Sequence, residues 1–188
     1  FDLKKKYRKK IQKVLKLSNE IKIRPMNSRC LKKHSDKIQE LQNNIIKESS
    51  FNGPRFNTDS FQQLNKKDFF IINGYFFKNE LVAFASEIRQ EKTLYSYYVG
   101  FDKELNKSLA LYPRILIEKI NSAIKQKKNN LVLGRTATEF KSNFGAKPKK
   151  SFIYVYVKNT FLRVLLTPIF KRLKVKPWQK RNPFRNTI

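Results

Sequence analysis

Acidic residues are scarce in this 188-residue chain: 14 Asp and Glu stand against 42 Lys and Arg, a net charge of +28. The shortage is local. Residues 1–33 hold 13 cationic side chains against Asp2 and Glu20, and residues 140–188 hold 13 with no acid at all. Residues 34–139 hold 16 against 12, an ordinary globular surface. Both ends are therefore polycations, of the kind that binds nucleic acid, an anionic membrane face or an acidic substrate. Cysteine is almost absent. Cys30 alone excludes an internal disulfide and suits a reducing, cytoplasmic compartment. Histidine is reduced to His34, with no ligand cluster around it, so no metal site is expected. No apolar run reaches the ~18 residues that cross a bilayer, and no signal peptide is visible. What is present is enough for a core: 40% hydrophobic and 13% aromatic residues exclude global disorder.

Periodicity orders the chain. Leu3, Tyr7, Ile11, Val14 and Leu15 predict a basic helix over residues 3–17, with Asp2 as its cap. Residues 20–24 alternate like an edge strand closed by Pro25. Ser28 is read as the cap of one helix over 29–47. The Asn-Gly-Pro loop that follows carries Phe51, Arg55 and Phe56, which suit a substrate lid or a plug at the domain edge. Thr58 or Asp59 caps a short helix that buries Phe61 and Leu64. Strands are predicted over 68–77, 80–90 and 93–101, joined by tight turns and therefore antiparallel. Strict alternation would turn Leu81, Ala83 and Ala85 to one face and Val82, Phe84 and Ser86 to the other. A helix over 112–128 and a buried strand over 131–133 follow. Next come a short helix over 139–143 closed by Gly145, a strand over 152–157, and an apolar-basic helix over 160–173 containing Pro168. Residues 174–188 are read as a basic tail. The expected architecture is an α/β three-layer fold: a mostly antiparallel central sheet with helices on both faces and an extra basic helix at each end. The domain proper runs over 20–158, flanked by segments 1–19 and 159–188. Parallel strands 93–101 and 131–133 end together, which predicts a crevice at their carboxyl ends.

This order, with the blocks Tyr98-Val-Gly-Phe-Asp102, Leu111-Tyr-Pro-Arg-Ile-Leu116 and Leu133-Gly-Arg-Thr-Ala-Thr-Glu-Phe-Lys-Ser-Asn-Phe-Gly-Ala-Lys-Pro148, resembles the GNAT acyl-CoA N-acyltransferase superfamily. Within it the similarity is to the BioF2-like, FemABX-related branch. Such proteins look about twice as long, with two such halves, and this chain is similar to the C-terminal one, in keeping with its start at Phe1. The resemblance implies an acyl or aminoacyl transfer to an amine, on a small molecule, a peptide or a cell-envelope precursor. The co-substrate implied is acyl-CoA (acetyl-CoA) or aminoacyl-tRNA.

The resemblance also implies site residues. Backbone N–H groups near Val99 and Gly100 would polarise the acyl carbonyl. The start of helix 112–128 would face the pyrophosphate, with Lys103, Lys107 and Arg114 supplying charge. Family members carry a glycine-rich loop there; residues 103–110 contain no glycine. Glu87, Asp102 and Glu139 are candidate bases by position. The family's tyrosine in the short helix is replaced by Phe140 and Phe144, leaving Tyr97 or Tyr98 as the proton donor. Arg135, Thr136, Lys141 and Ser142, in the last block, would meet the substrate; an ion-pair network through Arg135, Glu139 and Lys141 explains the same residues structurally. A second reading is a non-catalytic module on this scaffold, binding RNA (tRNA included) or an anionic membrane through its basic ends.

Overall fold

A computed structural model describes residues 3–48, 57, 59–134, 137–149, 152, 154–172 and 178–185. The chain forms two compact units, Phe1–Thr136 with Phe184–Ile188, and Ala137–Pro183.

The first unit is built on a five-stranded sheet in the order β1-β2-β3-β4-β5. Its strands are β1 (Lys22–Pro25), β2 (Phe70–Phe77), β3 (Glu80–Arg89), β4 (Thr93–Phe101) and β5 (Asn130–Val132). The first four are antiparallel, and β5 joins β4 in parallel. Lys78 and Asn79 take positive φ of 49° and 68°, the twist that a two-residue hairpin needs, so β2 turns directly into β3. Helices α2 (Ser28–Lys33), α3 (Ser35–Glu48) and α4 (Asp59–Leu64) belong to one face, and α1 (Lys5–Leu17), α5 (Lys103–Leu109) and α6 (Leu111–Lys125) to the other. Met26, Leu31, Leu41, Phe61, Ile72 and Phe84 fill the first face; Tyr75, Val82, Ala85, Leu111 and Ile115 fill the second. The α/β fold with helices on both faces of the sheet is the expected one.

Local details depart from the periodic reading. The alternation of β3 fails at a bulge opposite Tyr75/Phe76, where Val82 is the extra residue. Val82 and Ala83 consequently join Ala85 on one face, while Leu81 and Phe84 share the other. The single helix expected over 29–47 is two helices broken at His34 (φ −110°), and Asn27 rather than Ser28 caps the first, accepting the Cys30 N–H at 2.9 Å. The break frees α3 to aim Ile38 and Leu41 at the sheet, where both are buried. Residues 103–109, read as a loop, form α5. Asp102 caps it by accepting the Leu105 N–H at 2.9 Å, and Leu105 and Leu109, one turn apart, dock on the core. Phe51, Arg55, Phe56 and Thr58 lie outside the described residues.

The second unit contains α7 (Thr138–Ser142) and α8 (Thr160–Arg172). Gly145 closes α7 in the left-handed region at φ 91°, as its position implied. The strand expected over 152–157 is not found at the described residues of that segment; Phe152, Tyr154, Val155 and Tyr156 are exposed. Alternating aromatic and β-branched residues state a preference for extended backbone, but a strand exists only where a neighbour accepts its ladder.

Candidate functional site

The feature that could do chemistry is where β4 and β5 part. Their pairing is short: Thr93 with Asn130, Leu94 with Leu131, Tyr95 with Val132. Beyond Tyr95, β4 continues for six residues along which no strand pairs with its outer edge among the described residues. On its inner edge β4 stays in register with β3, Phe84 opposite Gly100 and Ala85 opposite Val99. The Asp102 N–H donates to Val82 O at 2.8 Å. Successive N–H groups of an extended strand point to opposite edges. Gly100 therefore belongs to the ladder with Phe84, whereas the N–H groups of Val99 and Phe101 point to the edge that β5 has left. Of the two expected carbonyl-polarising positions, Val99 turns its N–H to the outer edge and Gly100 to β3.

Two packing devices fix this stretch. Between Ala85/Val99 and Glu87/Ser96, β4 carries one residue more than β3. Ser86, a lone hydroxyl in an apolar strand, holds the bulge: its Oγ accepts the Tyr98 N–H at 2.9 Å and donates to Tyr98 O at 3.1 Å. Gly100 is needed for a different reason. A Cβ there would stand 2.3 Å from a Phe84 ring carbon and 2.9 Å from the Leu41 backbone, so its absence lets α3 lie directly on β4. Gln42, next on α3, is buried, and among the described residues its Oε1 is a buried side-chain acceptor with no hydrogen-bond partner. The sequence reading places Ser86 on one face of its strand without a role, and does not single out Gln42.

Tyr98 meets Phe61 at 5.8 Å and Tyr97 at 4.6 Å between ring centroids, both edge-on. Burial, with the neighbouring Tyr97, raises its phenol, so it keeps its proton. Lys103 opens α5 directly after β4, and Lys107 stands exposed one turn on. Arg114 is held by other groups: its Nε donates to Glu118 at 2.9 Å and its Nη1 to Ser18 Oγ at 3.1 Å.

The start of α6 is also largely occupied. Asn106 Oδ1 accepts the Tyr112 N–H at 2.9 Å, Pro113 has no N–H, and the Arg114 N–H donates to Ala110 O. Asn106 is a further residue that the sequence reading missed; a side chain capping a helix six residues on leaves no periodic trace.

Glu87 sits elsewhere, opposite Ser96 and between β3 and α6. It is 1% exposed and accepts from Arg89 at 2.8 Å, Lys119 at 3.2 Å, Ser122 at 3.1 Å and Gln126 at 3.4 Å. Burial alone would raise its carboxyl. Lys119 and Arg89 outweigh that and hold it below the usual carboxylate value. A pocket of ≈ 200 Å³ opens beside this network, with Asn73, Tyr75 and Asn121 on its walls. Asp102, the third candidate carboxylate, accepts the Leu105 N–H as the cap of α5.

In the second unit Glu139 pairs with Arg181 at 2.7 Å, and Ser142 Oγ accepts the Arg181 N–H at 2.9 Å while donating to Glu139 O at 2.7 Å. The partner that Glu139 gains comes from the supposed tail. Lys141 is buried, which pushes its ammonium down to about 8. Arg135 and Thr136 lie outside the described residues. Among the described residues no group of His, Cys, Asp and Glu could hold a metal.

The fold defined by this sheet is that of the GNAT acetyltransferases. A solved aminoglycoside acetyltransferase from an uncultured soil metagenomic sample, in complex with sisomicin, superposes with a TM-score of 0.54 at 17% identity, over 76% of this chain and 99% of that one. A possible acetyltransferase from Clostridium difficile 630 gives 0.58 at 16%, over 73% and 97%. Glucosamine-6-phosphate N-acetyltransferase from Arabidopsis thaliana gives 0.52 at 13%, over 72% and 97%. At such identities the likeness establishes the fold. No family model matches the chain, and no curated protein matches it in sequence.

Proposed function

We propose that this chain is an N-acyltransferase that passes an acyl group from an acyl-CoA thioester to the amine of a small molecule. The observation that carries the reading is the outer edge of β4 beyond Tyr95, unpaired among the described residues, to which the Val99 N–H points. A hydrogen-bond donor fixed in a strand is suited to the oxygen of a thioester carbonyl, where charge develops as the amine attacks. The C–S bond then breaks, and a proton must reach the departing sulfur. Tyr98, held protonated, is our candidate donor.

The acyl end of such a donor fits better than its phosphates. With Tyr112 capped by Asn106 and Arg114 engaged, no free row of backbone N–H groups awaits a pyrophosphate at α6, so the charge falls to Lys103 and Lys107. Donor binding by lysines without a backbone cradle would be weak and strongly salt-dependent. Glu87 and Glu139 are the carboxylates to test as the base. The solved structures of like fold that are named for aminoglycosides and an amino sugar make those amines the first acceptors to try; peptide and cell-envelope amines follow from the FemABX-like blocks.

Calorimetric titration with acetyl-CoA and with charged tRNA, followed by mass-spectrometric detection of acylated amines across that panel, tests the reading. Micromolar to millimolar binding of acetyl-CoA, weakened by Lys103→Ala and by added salt, is expected. Binding of neither donor overturns it, and binding of tRNA alone moves the donor to an aminoacyl ester.

A further inference from the structure

Helix α8 shows its apolar side chains to solvent. Phe161 is 77% exposed, Val164 70%, Leu165 57%, Ile169 54%, Leu162 45% and Phe170 43%. A soluble surface rarely leaves so many large apolar groups exposed on one helix. They are ordered as well as numerous. Phe161, Leu165 and Ile169 recur every four residues along one stripe, with Leu162 beside it, while Arg163 and Thr167 lie on the opposite side, flanked by Phe170 and Val164. The helix is closed for an apolar setting: Asn159 Oδ1 accepts the Leu162 N–H at 3.1 Å, and Thr167 Oγ1 donates to Arg163 O at 2.6 Å. Exposed Tyr154 and Tyr156 lie just upstream.

We infer that α8 is an interfacial helix that seats this protein on an anionic membrane face. Thirteen residues at 1.5 Å each give about 20 Å, too short for a hydrocarbon core of about 30 Å, so the helix lies in the interface instead of crossing it. None of the described helices is long and apolar enough to cross. Charge selects the occupant. From residue 140 to 188 the sequence has 13 Lys and Arg and no acid. A second copy on this face would set two acid-free cationic segments against each other. A nucleic acid would satisfy the charge but leave Leu, Val and Ile without a partner. A bilayer bearing phosphatidylglycerol or a similar lipid meets both needs: acyl chains for the stripe, headgroup charge for the cations, and an interfacial layer for the tyrosines. The inference stands apart from acyl transfer, since it uses none of the residues named for that reading.

Flotation of the full chain with phosphatidylcholine vesicles, with and without phosphatidylglycerol, reads it directly. The wild type is expected to float with the anionic vesicles, and the combined Phe161→Ser, Leu165→Ser, Ile169→Ser variant to lose about a hundredfold in partitioning at unchanged circular dichroism. Should that variant fail to fold, the single Leu165→Glu carries the test, with at least a tenfold loss expected. Absence of wild-type flotation overturns the inference. So does full binding by the variants, which would assign the membrane to the cations alone. A dimer in sedimentation equilibrium that the serine variant dissolves would give the face to a second copy.

Discussion

In the first unit Phe61, Ile72, Phe84 and Ile115 keep no exposure; in the second Phe161 keeps 77% and Val164 70%. The same residue types, at similar spacing, are core in one place and surface in the other. The difference lies in what each segment has to pack on. The sheet offers two apolar faces, and α2, α3, α4 and α6 all bury side chains there. Carboxylates divide in the same way. Glu87, 1% exposed, accepts from four side chains, whereas Glu139 forms one ion pair with its side chain 48% exposed.

That contrast can be broken in order of size. Gly100→Ala should be the costliest change, because Phe84 and the α3 backbone leave no room for a Cβ. A loss of about 3 kcal/mol or more is expected from urea unfolding, partly restored by Phe84→Leu. Glu87→Gln leaves Lys119 buried without its anion and should cost about 3 kcal/mol; Glu139→Gln should cost about 0–1. Equal effects would dissolve the distinction. If Glu139 is also the base, its variant flattens the pH–rate profile without moving the unfolding midpoint. Tyr98→Phe should lower kcat about 10–100-fold with donor binding intact, as loss of a proton donor would.

Two smaller effects follow from titration and exposure. The folded value of about 8 for Lys141 lies below the 10.5 of an ordinary lysine, so between these pH values the unfolded chain binds more protons and stability should rise with pH. Lys141→Met should remove that rise, measured by thermal unfolding across the window. At the acid end the depressed Glu87 contributes stability that is full above its ordinary value and disappears as pH falls through the folded one. Smallest of all, Leu165→Ser should stay within about 0.5 kcal/mol of wild type, while Ile115→Ser, at a fully buried position, costs about 3.

The edge at Val99 was legible from residues: Thr93–Phe101 is bounded by turn signals, and Lys78-Asn79 marks its hairpin neighbours. α5 was harder to see because only Leu105 and Leu109 face inward, among lysines that obscure the period. The break at His34 leaves the apolar spacing on both sides intact, so periodicity alone reads through it. Residues 152–157 carry strand propensity without a strand partner among the described residues. Ser86, Gln42 and Asn106 act through contacts that only the fold creates, and no local pattern announces them. The fold itself is shared with the solved acetyltransferases.

A strand edge without a pairing neighbour, as β4 has among the described residues, is open to every extended peptide. Over Ser96–Phe101 the outer backbone of β4 is a template for strand addition, from another chain or from a partly unfolded copy. β1, at the far edge, is guarded by Pro25 and by the exposed Lys22 and Arg24. The β4 edge has no such guard in its own sequence, where Tyr97, Tyr98 and Val99 favour pairing. Self-association through it should therefore grow with concentration and fall when a donor fills the edge, which makes shelf life a readout of occupancy.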